Sequence, residues 1–313
     1  MNPSADTKDV PILLMLFNRP ETTQKVFEKL RQAKPGRIFI AADGPRSDRP
    51  EDVALCAAVR SIFDKIDWDC SVHKNYREVN VGVYAHWPAA LEWFFEHVDR
   101  GVVLEDDCVP DNSFFDYCAE LLEKYKDDES IMHINGTNLQ FGTTRGDYSY
   151  YFSRYACVWG WATWRRAWKK YDQSMSSFPE FRDKNKLERI IENKVGKRYW
   201  ATFFEKSYLG IFQTPDVRWT YAIWDNDSLC ISPNKNLISN IGFGLSAEHT
   251  FFKDKSLGQE TFDIGALSHP HALIPDKVAD EYVFRNTYHR TFFQKLLYVT
   301  AKKFVRLFRW WPT

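Results

Sequence analysis

The sequence predicts a mixed α/β fold in which a mostly parallel sheet is flanked by helices. Short apolar runs alternate with amphipathic segments through the first third of the 313-residue chain, and this alternation is typical of parallel strands joined by crossover helices. The composition, with 44% hydrophobic and 27% charged residues, is that of a globular protein. Because 42 basic residues balance 42 acidic ones, we expect no nucleic-acid partner, which would favour a strongly basic surface.

The elements of the first third can be placed in order. An apolar run at 10–17 predicts a buried strand, and a helix follows because Asn18 can cap it and Pro20 has a preset φ. A Pro-Gly pair at 35–36 ends this helix. The next elements are predicted as a strand at 37–42, a helix near 51–66, a strand around 70–74, a helix at 84–97 and a strand at 101–104.

The rest of the chain is less regular. A segment at 148–168 is dense in aromatic residues. Its Trp159, Trp161 and Trp164 fit neither one helix face nor one strand face, so they belong either to the core or to a loop that stacks on a sugar. We predict one or two helices within 184–212 and short strands at 219–224 and 229–231.

Polar side chains follow three of the predicted strands. Arg19 follows the first strand, Asp43 the second and an acidic triplet at 105–107 the fourth. Because ligands bind beyond the carboxyl ends of the strands in open parallel sheets, we expect these side chains to converge on one rim. Simpler roles are open for two of them, since Asp43 could be a turn residue and Arg19 could pair with a surface carboxylate.

The acidic triplet Glu105, Asp106 and Asp107 is the strongest local signal. Adjacent carboxylates repel one another, so a divalent cation or hydrogen-bond donors must offset the repulsion. Carboxylate oxygens suit Mg²⁺ and Mn²⁺, and either ion can also hold the phosphates of a substrate. The alternative is that Asp107 or Asp111 caps a helix that begins near residue 113. The position directly after an apolar strand favours the metal site.

A family resemblance is carried by the same residues. The segment at 102–117, V-V-L-E-D-D-C-V-P-D-N-S-F-F-D-Y, resembles the acidic motif of N-acetylglucosaminyltransferase I and related GT-A-fold glycosyltransferases, including bacterial relatives. Two upstream segments are similar to strands of the family: 14–19 to its first strand and 38–44 to its uracil-facing second strand. Residues 86–91 are similar to its H-x-x-x-A-L helix, 230–233 to its C-I-x-P segment and 242–244 to its F-G segment. The resemblance covers about residues 10–250, with strong identity only in the acidic motif.

The resemblance implies a GT-A (Rossmann-like) domain at 1–255, with a nucleotide-sugar-binding half at about 10–135 and an acceptor-binding half at about 136–255. Residues 256–313 would form a C-terminal helical extension, in which 292–311 predict a basic amphipathic helix. Such a helix either docks on a core or lies in a membrane interface. The membrane interpretation is preferred because an enzyme of surface glycans usually meets its acceptor on a lipid carrier.

The resemblance also implies a role for each site residue. It implies that Asp107 binds the metal and that His249 lies by the metal or the diphosphate. Glu105 and Asp106 would contact the ribose and the donor sugar. Asp43 would face the uracil, with help from Arg19 and His86. Without the resemblance, His86 would be interpreted as a packed core histidine and His249 as a solvated loop histidine.

The general base of the family lies 17 residues before the proline of C-I-x-P, which is Pro233 here, and this spacing assigns Asp216. Asp225 and Asp227 are rivals for the role. A carboxylate at this position can deprotonate the acceptor hydroxyl, while a cation stabilises the departing diphosphate. Together these roles imply an inverting transfer through an oxocarbenium-like state.

The predicted function is transfer of a sugar from a UDP-sugar, with UDP-N-acetylglucosamine as one candidate, to a hydroxyl of a glycan or lipid-linked glycan, with Mn²⁺ or Mg²⁺ as cofactor. Two alternatives stay open. A metal-dependent nucleotidyltransferase or phosphohydrolase is less favoured, because no Gly-rich phosphate loop with a lysine lies near the first strand. A non-catalytic glycan-binding protein would explain the 24 Phe, 15 Tyr and 12 Trp, but it would not need the acidic triplet.

The cysteines and the amino-terminal sequence bear on the compartment. The six cysteines contain no C-x-x-C pair, which argues against a zinc ribbon, and a chain of this length needs no disulfide framework. The apolar run at 10–17 is too short for a signal peptide or a membrane span. We therefore expect a cytoplasmic protein. If the C-terminal helix binds lipid, the protein would be peripheral on the inner face of the cell membrane.

Overall fold

The structure, a computed structural model, describes residues 10–242 and 257–289. The strands are β1 (Ile12–Leu16), β2 (Arg37–Ala42), β3 (Ser71–Tyr76), β4 (Arg100–Glu105), β5 (Cys108–Pro110), β6 (Ile131–Asn135), β7 (Tyr150–Ser153), β8 (Trp161–Trp164), β9 (Leu229–Pro233) and β10 (Ile238–Asn240). The helices are α1 (Pro20–Ala33), α2 (Glu51–Ile62), α3 (Val83–His97), α4 (Ser113–Lys124), α5 (Arg165–Trp168), α6 (Phe178–Asp183), α7 (Leu187–Ile190), α8 (Lys194–Tyr208), α9 (Pro215–Asp225) and α10 (Lys277–Val283).

Eight strands form one sheet in the order β3-β2-β1-β4-β8-β6-β9-β7, and β5 pairs with β10 in a small second sheet. The first four strands are mutually parallel, and β8 and β7 are the two strands that run against the others. Helices lie on both faces of this sheet. The predicted fold class, a mixed and mostly parallel sheet flanked by helices, is therefore confirmed.

The core lies on both faces of the sheet because its central strands are apolar throughout. Every residue of β1 is buried, and successive side chains of a strand point to opposite faces. Leu14 belongs to the core that contains Phe27 of α1. Leu13 belongs to the opposite core, which contains Phe94 of α3 and Trp219 of α9. This two-sided burial is characteristic of parallel sheets covered by crossover helices.

The first helix begins differently from the prediction. Pro20 occupies the first turn as expected, but the N-cap residue is Arg19, and its side chain makes no capping bond. The predicted cap, Asn18, instead donates its side-chain amide to Asp52 Oδ1 at 2.7 Å. The cap prediction was wrong because Asp52 is a buried carboxylate, and such a group needs hydrogen-bond donors more than the exposed helix end does.

The segment at 219–224, predicted as a short strand, is part of helix α9. Its residues from Val217 to Trp224 are all buried, Arg218 and Thr220 included, so this stretch has no solvent-exposed face and its sequence lacks the period that distinguishes a surface helix. Within the aromatic segment, Trp161 and Trp164 lie in β8 with 0% and 2% exposure. These two tryptophans are therefore core residues.

The segment after residue 256 packs on the same sheet. The amide of Asp276 donates to the Phe152 carbonyl of β7 at 2.8 Å, and Gln140 donates its side-chain amide to the Ala279 carbonyl of α10 at 3.1 Å. The predicted amphipathic helix at 292–311, His249 and residues 243–244 of the F-G segment lie outside the described residues. Among the helices of the described ranges, none has the length and apolar character needed to span a membrane.

Candidate active site

A cavity of about 240 Å³ opens at the carboxyl ends of β1, β2 and β4. These three strands are parallel neighbours, so their ends lie side by side. The cavity is lined by six of the predicted site residues, Arg19, Asp43, His86, Glu105, Asp106 and Asp107. The expected convergence on one rim is therefore present, with α3 supplying His86 as an additional wall.

The Arg19 guanidinium bridges two of the three acids. Its Nη1 donates to Asp107 Oδ2 at 2.7 Å, its Nε donates to Asp106 Oδ2 at 3.3 Å, and its Nη2 donates to Asp106 Oδ1. Burial alone lowers the pKa of Arg19, but the two carboxylates outweigh this effect and raise it above its ordinary value. The backbone amide of Phe17 also donates to Asp106. Hydrogen-bond donors thus offset much of the repulsion expected within the triplet.

The third acid, Glu105, is in a different environment. Within the described residues no hydrogen-bond donor reaches its carboxylate. Burial, followed by the charges of Asp107 and Asp106, raises the pKa of Glu105 to about 8. Burial also raises the pKa of Asp106 to about 6, against the opposing effect of Arg19. The anionic form of Glu105 is therefore disfavoured by burial and by its acidic neighbours, and a cation bound beside it would stabilise that form.

Glu105, Asp107 and Cys108 offer ligand atoms within 4.8 Å of one another. The Cys108 thiol donates to Asp107 Oδ1 at 3.4 Å, and burial raises its pKa well above the ordinary range. A protonated thiol is a poor ligand for a hard cation, whereas the two carboxylates suit Mg²⁺ or Mn²⁺. The residues present thus fit a divalent cation held by Glu105 and Asp107.

Asp43 is buried at the end of β2, and both of its carboxylate oxygens are occupied. Oδ1 accepts from the amides of Gly44 at 2.9 Å and Val81 at 3.1 Å. Oδ2 accepts from the Asn80 side chain at 3.0 Å and the Gly82 amide at 3.0 Å. In the structure Asp43 thus holds the loop that leads into α3, and its assignment to the uracil stays a prediction.

His86 lies one turn into α3 and is 8% exposed. Its Nε2 is 3.3 Å from the Ala41 carbonyl, and that contact requires Nε2 to be the protonated nitrogen. Burial lowers the pKa of His86, so the neutral ring is favoured. Its Nδ1, which is an acceptor in this tautomer, receives no hydrogen bond from any of the described residues.

Asp216 lies in the first turn of α9 and is exposed. Its charge is one of those that raise the pKa of Glu105, so the two carboxylates are within electrostatic reach of each other. The rival Asp225 lies at the other end of the same helix, about 13 Å away at 1.5 Å per residue. There it pairs with Lys186 at 2.8 Å and accepts from Ser177 at 2.6 Å.

Sequence reasoning missed part of the cavity wall. The residues not foreseen are Asn80, Gly82, Val83, Trp87, Asn240 and Leu257, together with Met15, Leu16 and Phe17 at the end of the first strand. Trp159, for which a sugar-stacking role was left open, and Gly242 of the F-G segment also line the cavity. Gly82 has φ 75° and directly precedes α3. Because glycine readily adopts positive φ, the Asn-x-Gly sequence before this helix could have indicated a tight turn at the cavity wall. Gly242 approaches the site closely, since a Cβ built on it would lie 1.8 Å from Asp107 Oδ2.

No protein-family model matches the chain, and no curated protein matches its sequence. Among solved structures, the chain is similar to a mannosyltransferase from Pyrobaculum calidifontis in complex with GDP-Man and Mn²⁺, with 10% identity and a TM-score of 0.35. That match covers 49% of this chain and 44% of the mannosyltransferase. The chain thus spans less than half the length of that enzyme.

Two further solved structures show a similar degree of likeness. Mouse xyloside xylosyltransferase 1 has 12% identity and a TM-score of 0.33 over 68% of this chain and 81% of its own. A 4-diphosphocytidyl-2C-methyl-D-erythritol synthase from Anaerococcus prevotii has 9% identity and a TM-score of 0.32 over 52% and 77%. These similarities are too distant to assign the chain to a family, so the resemblance to N-acetylglucosaminyltransferase I stays a prediction.

Proposed function

We propose that the protein is an inverting, divalent-cation-dependent glycosyltransferase that transfers a sugar from a UDP-sugar to a hydroxyl of a glycan or lipid-linked glycan. One observation carries the proposal. Six side chains from four separate parts of the sequence line one cavity at the carboxyl ends of three parallel strands. They combine an acidic cluster, an arginine and a neutral histidine, which are the groups that a nucleoside diphosphate and its cation require.

The acidic triplet and Arg19 would handle the donor diphosphate. Glu105 and Asp107 would hold Mn²⁺ or Mg²⁺, and such an ion supplies stabilisation of negative charge on a leaving diphosphate. Arg19 keeps Asp106 and Asp107 oriented through its three hydrogen bonds. Asp106 is held by Arg19 and by the Phe17 amide. It would accept a hydrogen bond from a hydroxyl of the ribose or of the donor sugar.

The histidine supports uridine as the base of the donor. In the neutral ring His86 Nδ1 is an acceptor to which no residue of 10–242 or 257–289 donates, and a buried acceptor without a donor is costly. Uracil offers an imide N–H that would satisfy Nδ1 once the His86 ring turns to bring this buried atom to the cavity, whereas the corresponding nitrogen of cytosine is itself an acceptor. We therefore expect UDP to bind more tightly than CDP.

Asp216 would act as the general base on the acceptor hydroxyl. It is exposed at the start of α9, so an acceptor can reach it, and its charge acts on Glu105 across the site. A carboxylate placed opposite the leaving group gives inversion at the anomeric carbon. The rival Asp225 is engaged by Lys186 and Ser177, which disfavours it as a base.

The test is a thermal-shift screen of UDP-, GDP-, CMP- and dTDP-sugars with and without Mn²⁺, followed by product analysis. A ligand that binds the folded state raises the melting temperature by mass action. We expect a shift with UDP-sugars that depends on Mn²⁺ and is lost in Asp107→Ala. Asp111→Ala is the matched control, because Asp111 caps the turn at Ser113 only four residues away.

The released product separates this proposal from its alternatives. A glycosyltransferase releases UDP from the UDP-sugar. A phosphohydrolase would release UMP and a sugar phosphate, and a nucleotidyltransferase supplied with pyrophosphate would release UTP and a sugar phosphate. Release of UMP, or of UTP when pyrophosphate is supplied, without UDP would contradict the proposal. Binding of free glycan without nucleotide or metal, and no turnover, would instead support a glycan-binding protein.

A further inference from the structure

A buried polar cluster outside the cavity ties α9 to the sheet. The indole Nε1 of Trp219 on α9 donates to Nδ1 of His133 on β6 at 3.0 Å. The Nε2 of His133 lies 2.8 Å from Asn135 Oδ1 and 3.2 Å from the Cys157 carbonyl. Trp219 and His133 are both fully buried. Because Nδ1 accepts from the indole, Nε2 must be the protonated nitrogen that donates to these two oxygens.

The same histidine is in contact with the cavity wall through stacked aromatic rings. Trp161 of β8 stacks on His133 with ring centroids 4.8 Å apart and planes at 19°. Trp161 also stacks on Trp87, with ring centroids 5.8 Å apart and planes at 15°. Trp87 lines the cavity. His133 therefore connects the wall of the proposed donor site with the helix that carries Asp216.

The hydrogen bond from Trp219 restricts where α9 can lie. A buried N–H without an acceptor is destabilising, so a rotation or shift of α9 that breaks this bond is disfavoured. Asp216 lies three residues before Trp219, and residues at this spacing lie on the same side of a helix, one turn apart. The position of Trp219 thus largely determines where Asp216 is presented.

A second residue of α9 fixes the chain just before it. Arg218 is 2% exposed and pairs with no carboxylate in the part of the chain that the structure describes. Its guanidinium donates to the carbonyls of Phe212 at 2.9 Å and Ser207 at 2.6 Å. It also packs over the ring of Tyr84 in α3, 4.9 Å from the ring centre. The turn that leads into α9 is therefore held on the side that faces α3.

The cluster also borders both proposed catalytic regions. Cys157 accepts from His133 through its carbonyl and donates its amide to Asn135 Oδ1 at 2.6 Å. The charges of both Asp216 and Glu105 act on the Cys157 thiol. The backbone held by His133 and Asn135 thus lies within reach of the two acids that the reaction would use.

We propose that Trp219 is a positioning residue which, through its hydrogen bond to His133, sets the place at which α9 presents Asp216 to the acceptor. This inference rests on the proposed function, because it concerns the base of that reaction. The rigid link through Trp161 and Trp87 relates that place to the donor cavity. A small displacement of a catalytic group can reduce the rate by about 100-fold.

The test compares Trp219→Phe with Trp224→Phe. Both tryptophans are fully buried on α9, and both donate an indole N–H, Trp224 to the Arg154 carbonyl at 2.5 Å. UDP release from UDP-N-acetylglucosamine is measured with Mn²⁺ and a panel of p-nitrophenyl glycosides as acceptors. We expect both variants to lose similar thermal stability. Only Trp219→Phe should lose kcat, by about 10- to 100-fold, with the KM for the UDP-sugar unchanged.

A second pair of variants tests the route of the effect. His133→Phe keeps a planar ring against Trp161 but deletes the acceptor, so its kcat loss and that of Trp219→Phe should not add in the double variant. Asp216→Glu moves the carboxylate by one methylene and should lower kcat in the same way.

The outcomes distinguish the two proposals. Suppose that the wild-type protein releases UDP. The positioning role is then wrong, while the proposed function stands, if Trp219→Phe keeps the kcat of Trp224→Phe. The same conclusion follows if Asp216→Glu keeps the wild-type kcat. If the wild-type protein releases no UDP from the UDP-sugar, the proposed function itself is wrong. Equal loss of kcat in both tryptophan variants would show general destabilisation and would also overturn the positioning role.

Discussion

Replacement of Gly242 by alanine should damage the site without changing any charged residue. A Cβ on Gly242 would lie 1.8 Å from Asp107 Oδ2, 2.7 Å from Asp107 Cγ and 3.0 Å from Arg19 Nη1. Non-bonded heavy atoms of this kind do not approach closer than about 3 Å, so the Asp107 oxygen must move by about 1.2 Å. The Arg19–Asp107 bond, 2.7 Å long, would then be broken or reoriented.

The size of this displacement sets the expected effect. Misplacement of a catalytic group by about 1 Å can cost about 100-fold in rate, so we expect Gly242→Ala to lower kcat/KM for UDP-sugar turnover by about that factor. Affinity for Mn²⁺, measured by calorimetry in the presence of UDP, should fall as well, because Asp107 is one of the two proposed carboxylate ligands. The melting temperature should change little, since the displaced group is a side chain and not the backbone.

Gly196→Ala is the matched control. Gly196 lies in α8, where the new Cβ would meet Ile191 at 3.1 Å, and an alanine inside a helix is favoured over glycine by about 0.5–1 kcal/mol. We expect wild-type turnover in this variant. Wild-type turnover and Mn²⁺ affinity in Gly242→Ala would refute the reasoning, because the position of the Asp107 carboxylate would then not matter.

Three further predictions follow from the site and the core. Asp216→Asn should leave Mn²⁺-dependent UDP binding unchanged in thermal shift and lower kcat by about 100-fold or more, whereas the same loss in Asp225→Asn alone would reassign the base. Burial raises the pKa of Asp280 to about 7, so its contribution to stability, complete below about pH 4, is lost as the pH rises through 7. Asp280→Asn should therefore raise the melting temperature more at pH 8 than at pH 5, and an equal change at both would contradict this. Hydrogen bonds from Arg46 lower the pKa of Asp52, so the stability it contributes is present above about pH 4 and is lost as the pH falls below that. Asp52→Asn should cost about 1–3 kcal/mol in urea unfolding at pH 7 and less at pH 3, and a loss independent of pH would show that the charge is not involved.

The first half of the sheet was predictable from the sequence because its signals are local. The strand at 37–42 was predicted with the bounds that β2 has in the structure, and the helices before and after it begin at proline or acidic residues that favour a helix start. The helices bury one face and show it as an apolar period, and the strands are short apolar runs bounded by turn residues. These local signals are enough to identify the elements.

Helix α9 could not be predicted in this way. From Val217 to Trp224 every residue is buried, because this part of the helix lies between the sheet and other helices. An apolar run without a period is compatible with a buried strand or a buried helix. Tertiary packing decided between strand and helix. The same packing decided where Asp216 lies relative to the acidic triplet.

The residue types of the candidate site were determined by the sequence, since polar side chains directly after parallel strands must meet at one edge of the sheet. Their hydrogen-bond partners were decided only by the tertiary structure. Asp43 is engaged by the Asn80–Gly82 loop, and Arg19 by the acidic pair 87 and 88 residues away. A hydrogen bond depends on distances of a few tenths of an ångström between segments far apart in the chain, and that information arises only when the chain has folded.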